Sequence, residues 1–355
     1  MGTPMHTSSS SSDPSFQLKI PSYPFFGQAS NTSFEVDDPD RLYDISPFVR
    51  VYKCGRVERF FGTERVSASL DPTTGVESKD IEIQPDLTVS VRIFTPPRHI
   101  NYFNRRRPLL IYIHGGGFVT ESAFSPTYQR FLNELVAESK VVAVSIEYRL
   151  APENLLPIAY EDSWLALNWV ASHFEGNGDE IWLNENVDFE SVYLGGDSAG
   201  ANIVHNMAMR VGLESDKFPI KLSGAFLNCP HFLGKDPIGS EAEDDKMKNI
   251  YQRLWLHMYP DSEGLDDPSV NPAMDPRLSS LGCKRMLIFV AELDSLRDRG
   301  YFYQKSLSQS NWMGDAVIEE NEGEGHVFNL ICPENPKAIE MMKKIAAFLQ
   351  TNRTL

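Results

Sequence analysis

The chain has 355 residues, a length that fits one large α/β domain or two ordinary ones. Hydrophobic residues make up 41% and charged residues 23%, close to the globular average, so a large buried core is expected and disorder is confined to the ends. Acidic residues outnumber basic ones 49 to 33, and the net charge of -16 repels phosphate backbones and anionic lipid, which argues against nucleic acid and membrane surfaces as partners.

Residues 1–40 carry a serine run at 8–12 and little apolar material, so they read as a mobile leader that contributes in part to a cap. A plastid transit peptide would be basic; Asp13 and the acidic stretch 35–40 oppose that reading, and no arginine precedes Arg41. No run approaches the roughly 18 apolar residues of a membrane span. Four scattered cysteines, Cys54, Cys229, Cys283 and Cys332, fit reduced thiols better than disulfides or a zinc site, so the expected location is cytoplasmic and the sequons at Asn31 and Asn352 read as chance.

Residues 41–355 read as a single domain. Alternating runs at 49–52 and 57–61 around Cys54-Gly55 predict a hairpin, and 81–83 and 89–93 predict two further strands. From Leu109 the pattern changes to continuous apolar strands at 109–113, 141–146, 192–194, 222–227 and 286–290, with a last strand at 316–319. Amphipathic helices are predicted at 126–139, 160–173, 199–211 and 336–350. This alternation predicts the α/β class: a mostly parallel central sheet flanked by helices. The acidic, aromatic stretch 231–276, with one helix-like segment at 246–258, breaks the rhythm and reads as an insertion roofing a pocket at the strands' carboxyl ends. The run Arg105 to Arg107 reads as a solvated loop before a strand.

Chemistry concentrates in four places. Gly196-Asp197-Ser198-Ala199-Gly200 lies between a predicted strand and a predicted helix, where a tight turn exposing a nucleophilic serine needs small neighbours. His114-Gly115-Gly116-Gly117-Phe118 follows another strand, and its glycines leave backbone N–H groups open. Donors from Gly116, Gly117 and Ala199 form the expected oxyanion hole, where one donor is worth ~3 kcal/mol. For the acid that orients a histidine the best candidate is Asp294, just past the strand 286–290, with Glu292 and Asp298 open as alternatives. His326, on the glycine-flanked loop Gly323-Glu324-Gly325, follows the last strand and supplies the general base. Phe118 and Phe124 are candidate pocket-lining residues. His205 reads as a packed or solvated helix residue rather than a catalyst, and His114 as ordering its own loop.

Together with Tyr148-Arg149-Leu150-Ala151-Pro152-Glu153, these motifs resemble the hormone-sensitive-lipase-like carboxylesterases of the α/β-hydrolase fold. Asp197 to His205 and Tyr160-Glu161-Asp162-Ser163-Trp164 make the chain similar to the plant branch, over about residues 45–352. The resemblance implies hydrolysis of small carboxylic esters through an acyl-enzyme, a cap built largely from the N-terminal segment, and no cofactor or metal; it leaves the oligomeric state unspecified. Two relatives of that branch offer other outcomes: dehydratases of 2-hydroxyisoflavanones and related cyclases reuse the pocket, and gibberellin receptors bind without catalysis, their histidine being replaced.

Overall fold

The computed structural model describes residues 38–97, 106–242 and 246–350. The leader up to residue 37, the sequons at Asn31 and Asn352, and Arg105 of the basic run lie outside the described residues. The chain divides into two compact units, Met1–Val36 and Asp37–Leu355, and every described residue belongs to the second.

A small antiparallel sheet comes first, formed by β1 (Arg41–Ile45), β2 (Val49–Tyr52) and β3 (Val57–Arg59) in that order. The expected hairpin is β2 and β3, with β3 ending at Arg59 rather than residue 61. β1 escaped the sequence reading because only Ile45 of its five residues is fully buried, which leaves little hydrophobic pattern to detect.

The main sheet has eight strands: β4 (Glu77–Gln84), β5 (Val89–Thr95), β6 (Arg107–Ile113), β7 (Val142–Glu147), β8 (Val187–Asp197), β9 (Leu222–Asn228), β10 (Arg285–Ala291) and β11 (Asp315–Asn321). Its order is β11-β10-β9-β8-β6-β7-β5-β4. The six strands β6 to β11 run parallel, and β5 is antiparallel to both of its neighbours. The central strands are apolar on both faces because helices cover both: β6 buries every residue after Arg107. The edges β4 and β11 alternate or stay half-exposed, as strands with one free side do.

The helices are α1 (Pro126–Ser139), α2 (Ile158–Ala171), α3 (Ile181–Asn186), α4 (Ala199–Leu213), α5 (Lys246–Met258), α6 (Arg297–Gln309), α7 (Phe328–Ile331) and α8 (Pro336–Gln350). α1 packs on α8, α2 on α4, and α4 along β8 and β9. α6 was not anticipated from sequence. It is a strongly polar helix whose buried residues, Arg299, Gly300, Tyr303 and Leu307, make a narrow stripe that includes an arginine.

Candidate active site

β8 ends at Asp197 and α4 begins at Ala199, so Ser198 alone makes the turn between them. Its backbone sits at φ 50, ψ −119, a region L-residues rarely occupy and one that costs of order 1–3 kcal/mol. The two flanking glycines are dictated by space. A Cβ on Gly200 would lie 2.1 Å from the Ile113 carbonyl oxygen, and one on Gly196 would lie 2.7 Å from the same atom. The turn is also tied down: the Ser198 N–H donates to the Asn228 carbonyl (2.8 Å), and the Ser198 carbonyl accepts from His231 N–H (3.0 Å).

Ser198 Oγ lies 2.9 Å from His326 Nε2, and His326 Nδ1 lies 2.7 Å from Asp294 Oδ2. The other carboxylate oxygen of Asp294 accepts the Leu296 N–H at 3.0 Å, which fixes the acid's orientation. Asp294 leaves the end of β10, His326 the end of β11 and Ser198 the end of β8, so all three meet at the carboxyl edge of the parallel sheet. Burial, the largest influence on His326, opposes its charge, but attraction and hydrogen bonding to Asp294, helped by Asp197, raise its pKa above the ordinary 6.5. Of the alternative acids, Glu292 accepts the Gly323 N–H (2.6 Å) and Asp298 accepts the Ser240 N–H and hydroxyl (2.6 and 2.7 Å).

The glycine loop after β6 lies against this turn. Gly116 and Gly117 have φ 97 and 62, and among the described residues no acceptor takes their N–H groups or that of Ala199. A Cβ on Gly116 would lie 2.1 Å from the Thr120 carbonyl oxygen, so the tight turn needs a glycine there. Three tyrosines and one acid hold the loop in place. Tyr148 donates to the carbonyls of His114 (2.9 Å) and Gly115 (3.1 Å) and stacks on the His114 ring at 4.2 Å. Asp197 accepts from Tyr112 (2.7 Å), Tyr128 (2.9 Å) and the Gly115 N–H (3.2 Å), and Tyr128 in turn accepts the Gly115 N–H at 2.9 Å. Burial raises the Asp197 pKa to about 6 against the pull of those two tyrosines and His326.

Phe118 is buried beside the site, edge-on to His231 (5.7 Å) and Trp255 (6.2 Å). Phe124 is not drawn in: its ring faces the guanidinium groups of Arg92 (4.9 Å) and Arg65 (5.7 Å). From α5, Tyr251 comes within 5.7 Å of the His326 ring, and a Cβ on Gly117 would lie 2.6 Å from the Leu254 side chain. His205 is packed, its Nδ1 2.9 Å from the Tyr303 hydroxyl, and His114 Nδ1 lies 2.9 Å from the Gly115 carbonyl, so each does what the sequence suggested.

The sequence reading gave no roles to Tyr112, Tyr128, Tyr148, Asp197, His231 or Tyr251. Tyr148 and Asp197 stood inside quoted motifs, but what they touch depends on strand pairing. The other motif residues bond to one another: Arg149 donates to Asp162 from its backbone N–H (2.9 Å) and twice from its guanidinium (2.9 and 2.7 Å), and Tyr160 donates to Asn202 (2.8 Å). Cys229, Asp294 and His326 lie with their donor atoms within 4.8 Å of one another. Two of the three are already joined to each other, His326 Nδ1 lying 2.7 Å from Asp294 Oδ2.

Comparison with known proteins agrees with this architecture. A family model described as the α/β hydrolase fold matches residues 110–330. The chain is 43% identical over 329 residues to a 2-hydroxyisoflavanone dehydratase of Glycyrrhiza echinata, covering 90% of this chain and 98% of that protein. It is 42% identical over 318 residues to "Probable carboxylesterase 1" of Arabidopsis thaliana, covering 88% and 98%. Among solved structures, a Pyrobaculum calidifontis esterase superposes with a TM-score of 0.62 at 28% identity, covering 78% of this chain and 84% of that one. The chain therefore belongs to the α/β-hydrolase family, as a serine hydrolase of the hormone-sensitive-lipase-like branch that holds the plant carboxylesterases.

Proposed function

We propose that this protein hydrolyses small carboxylic esters with Ser198 as nucleophile, His326 as general base and Asp294 as the acid that orients it. The observation that carries the reading is the unbroken hydrogen-bonded line from Ser198 Oγ through the His326 ring to Asp294, at 2.9 and 2.7 Å. In this scheme His326 Nε2 takes the serine proton as Oγ attacks the ester carbonyl. The N–H groups of Gly116, Gly117 and Ala199 receive the developing oxyanion, at the positive end of α4. Collapse expels the alcohol, which takes the proton back from His326. Water then attacks the acyl-enzyme with His326 again as base, releasing the acid and restoring the serine.

Phe118 serves as pocket wall. The insertion 231–276 acts as the cap, supported by the approach of Tyr251 and Leu254 to the site. No helix of the described residues is long and apolar enough to cross a membrane, and all four cysteines are free; the site of action proposed is the cytoplasm.

A fluorophosphonate probe, which labels only an activated serine, tests the reading. The wild type should be labelled at Ser198 and should turn over 4-nitrophenyl acetate. Ser198→Ala should lose labelling and at least roughly 10⁴-fold in kcat, with an unchanged melting temperature. Full turnover by that variant excludes this nucleophile.

A second reading is favoured by the 43% identical dehydratase: elimination of water from a 2-hydroxyisoflavanone in the same pocket. Incubation with such a substrate and chromatographic detection of the dehydrated product separates the two activities. A receptor reading would not require the serine–histidine–aspartate line.

A further inference from the structure

The insertion begins at a histidine that is unlike the other buried ones. His231 is 0% exposed, yet among the described residues neither ring nitrogen has a hydrogen-bond partner. His173 and His205 bond through their rings, to Trp169 and Glu180 and to Tyr303 respectively, and His114 bonds through Nδ1 to the Gly115 carbonyl while its Nε2 has no partner among the described residues. Buried polar atoms are almost always satisfied, and an exception calls for a ligand or another explanation.

The position of the ring supplies one. The His231 backbone is held at both ends, its N–H donating to the Ser198 carbonyl (3.0 Å) and its carbonyl accepting from the Asn202 side chain (3.0 Å). The imidazole therefore stands beside the nucleophile's own turn. Phe118, which follows the oxyanion glycines, meets it edge-on at 5.7 Å, and Tyr251 does so at 5.3 Å. Tyr251 also lies 5.7 Å from the His326 ring. A largely aromatic wall beside the reacting atoms thus contains an imidazole with no partner among the described residues.

We propose that the His231 imidazole is a specificity contact that selects esters bearing a hydroxyl group close to the scissile carbonyl over apolar esters of the same shape. This rests on the esterase reading. Burial first, then the neighbouring His326, hold the His231 pKa down to about 3 against the pull of Asp294, so the ring is neutral and offers one donor and one acceptor. A hydroxyl satisfies either tautomer. A carboxylate finds no positive charge on the neutral ring, and an apolar substituent leaves the ring unpaired.

Two isosteric pairs probe both sides of the ester: 4-nitrophenyl hydroxyacetate against 4-nitrophenyl propionate, and 3-hydroxyphenyl acetate against 3-methylphenyl acetate. H231F keeps an edge-on ring in an aromatic setting, and H231M fills the space with a flexible apolar chain. In at least one pair the wild type should prefer the hydroxylated ester in kcat/KM. Either variant should reduce that preference roughly tenfold or more, with the apolar ester changed less than about threefold and Ser198 still labelled by fluorophosphonate.

Equal preference in wild type and a labelled variant overturns the inference and leaves the esterase reading standing. If neither variant folds, a wild type with no hydroxyl preference in either pair overturns it as well. A wild type that hydrolyses none of the four esters and takes no label overturns both.

Discussion

Ser198 sits in a strained turn, and His326 faces it with a raised pKa. A general base works only in its neutral form, so kcat/KM should climb as pH rises through the pKa of His326, with the midpoint above 6.5. Asp294→Asn removes the two largest influences that raise that pKa and leaves burial, which lowers it, opposed only by Asp197. The acid limb should therefore move to lower pH while the plateau falls on the order of 10²- to 10⁴-fold. A limb that stays in place in that variant means the acid is another residue. The sequence left Glu292, Asp294 and Asp298 open because all three follow one apolar strand within a few residues. Geometry separates them: the first is engaged by the Gly323 N–H, the last by Ser240, and only Asp294 reaches the imidazole.

At the scale of elements, the glycine loop after β6 is rigid because other elements grip it. Tyr128 from α1 bonds both Asp197 and the Gly115 N–H, linking α1, the loop and the end of β8. Tyr128→Phe should leave Asp197 a less satisfied buried carboxyl and cost about 1–3 kcal/mol of stability by urea denaturation. With the loop less firmly held, kcat should fall by about 10- to 100-fold while fluorophosphonate labelling at Ser198 persists. An unchanged kcat would show that the loop keeps its position without this tyrosine. The strands of the central sheet were legible because they are apolar on both faces, and the helices α1, α2, α4 and α8 because they are amphipathic or follow such strands. β1 and α6 were not, since each is stabilised by contacts its own pattern hardly advertises.

Across the whole molecule, the segment 234–241 is fastened to α6 by one buried ion pair. Arg299 bonds both oxygens of Glu241 at 2.7 and 2.6 Å, and the carbonyl of Asp236 at 2.7 Å, with both side chains less than 5% exposed. Removing one member leaves the other charge stranded, so Arg299→Met should destabilise by about 3–5 kcal/mol in urea denaturation. The double change with Glu241→Leu should recover much of the loss. A single variant as stable as the wild type would show that Glu241 is reached by water once unpaired.

The sequence by itself determined the class of fold and the nature of the chemistry. Period and continuity of apolar residues specify a parallel sheet, and the steric demand for glycine around Ser198 and at Gly116 is written directly in residue type. Which polar groups meet is decided only by the tertiary structure, because it depends on strand order and on loops converging from distant parts of the chain. Thus Asp294 is chosen over its neighbours, Asp197 becomes an anchor for the glycine loop, and Phe124 turns toward two arginines instead of the site. The His231 ring beside Ser198 is of the same kind: being enclosed with no partner among the described residues is a property of the space around a residue, which no local pattern encodes.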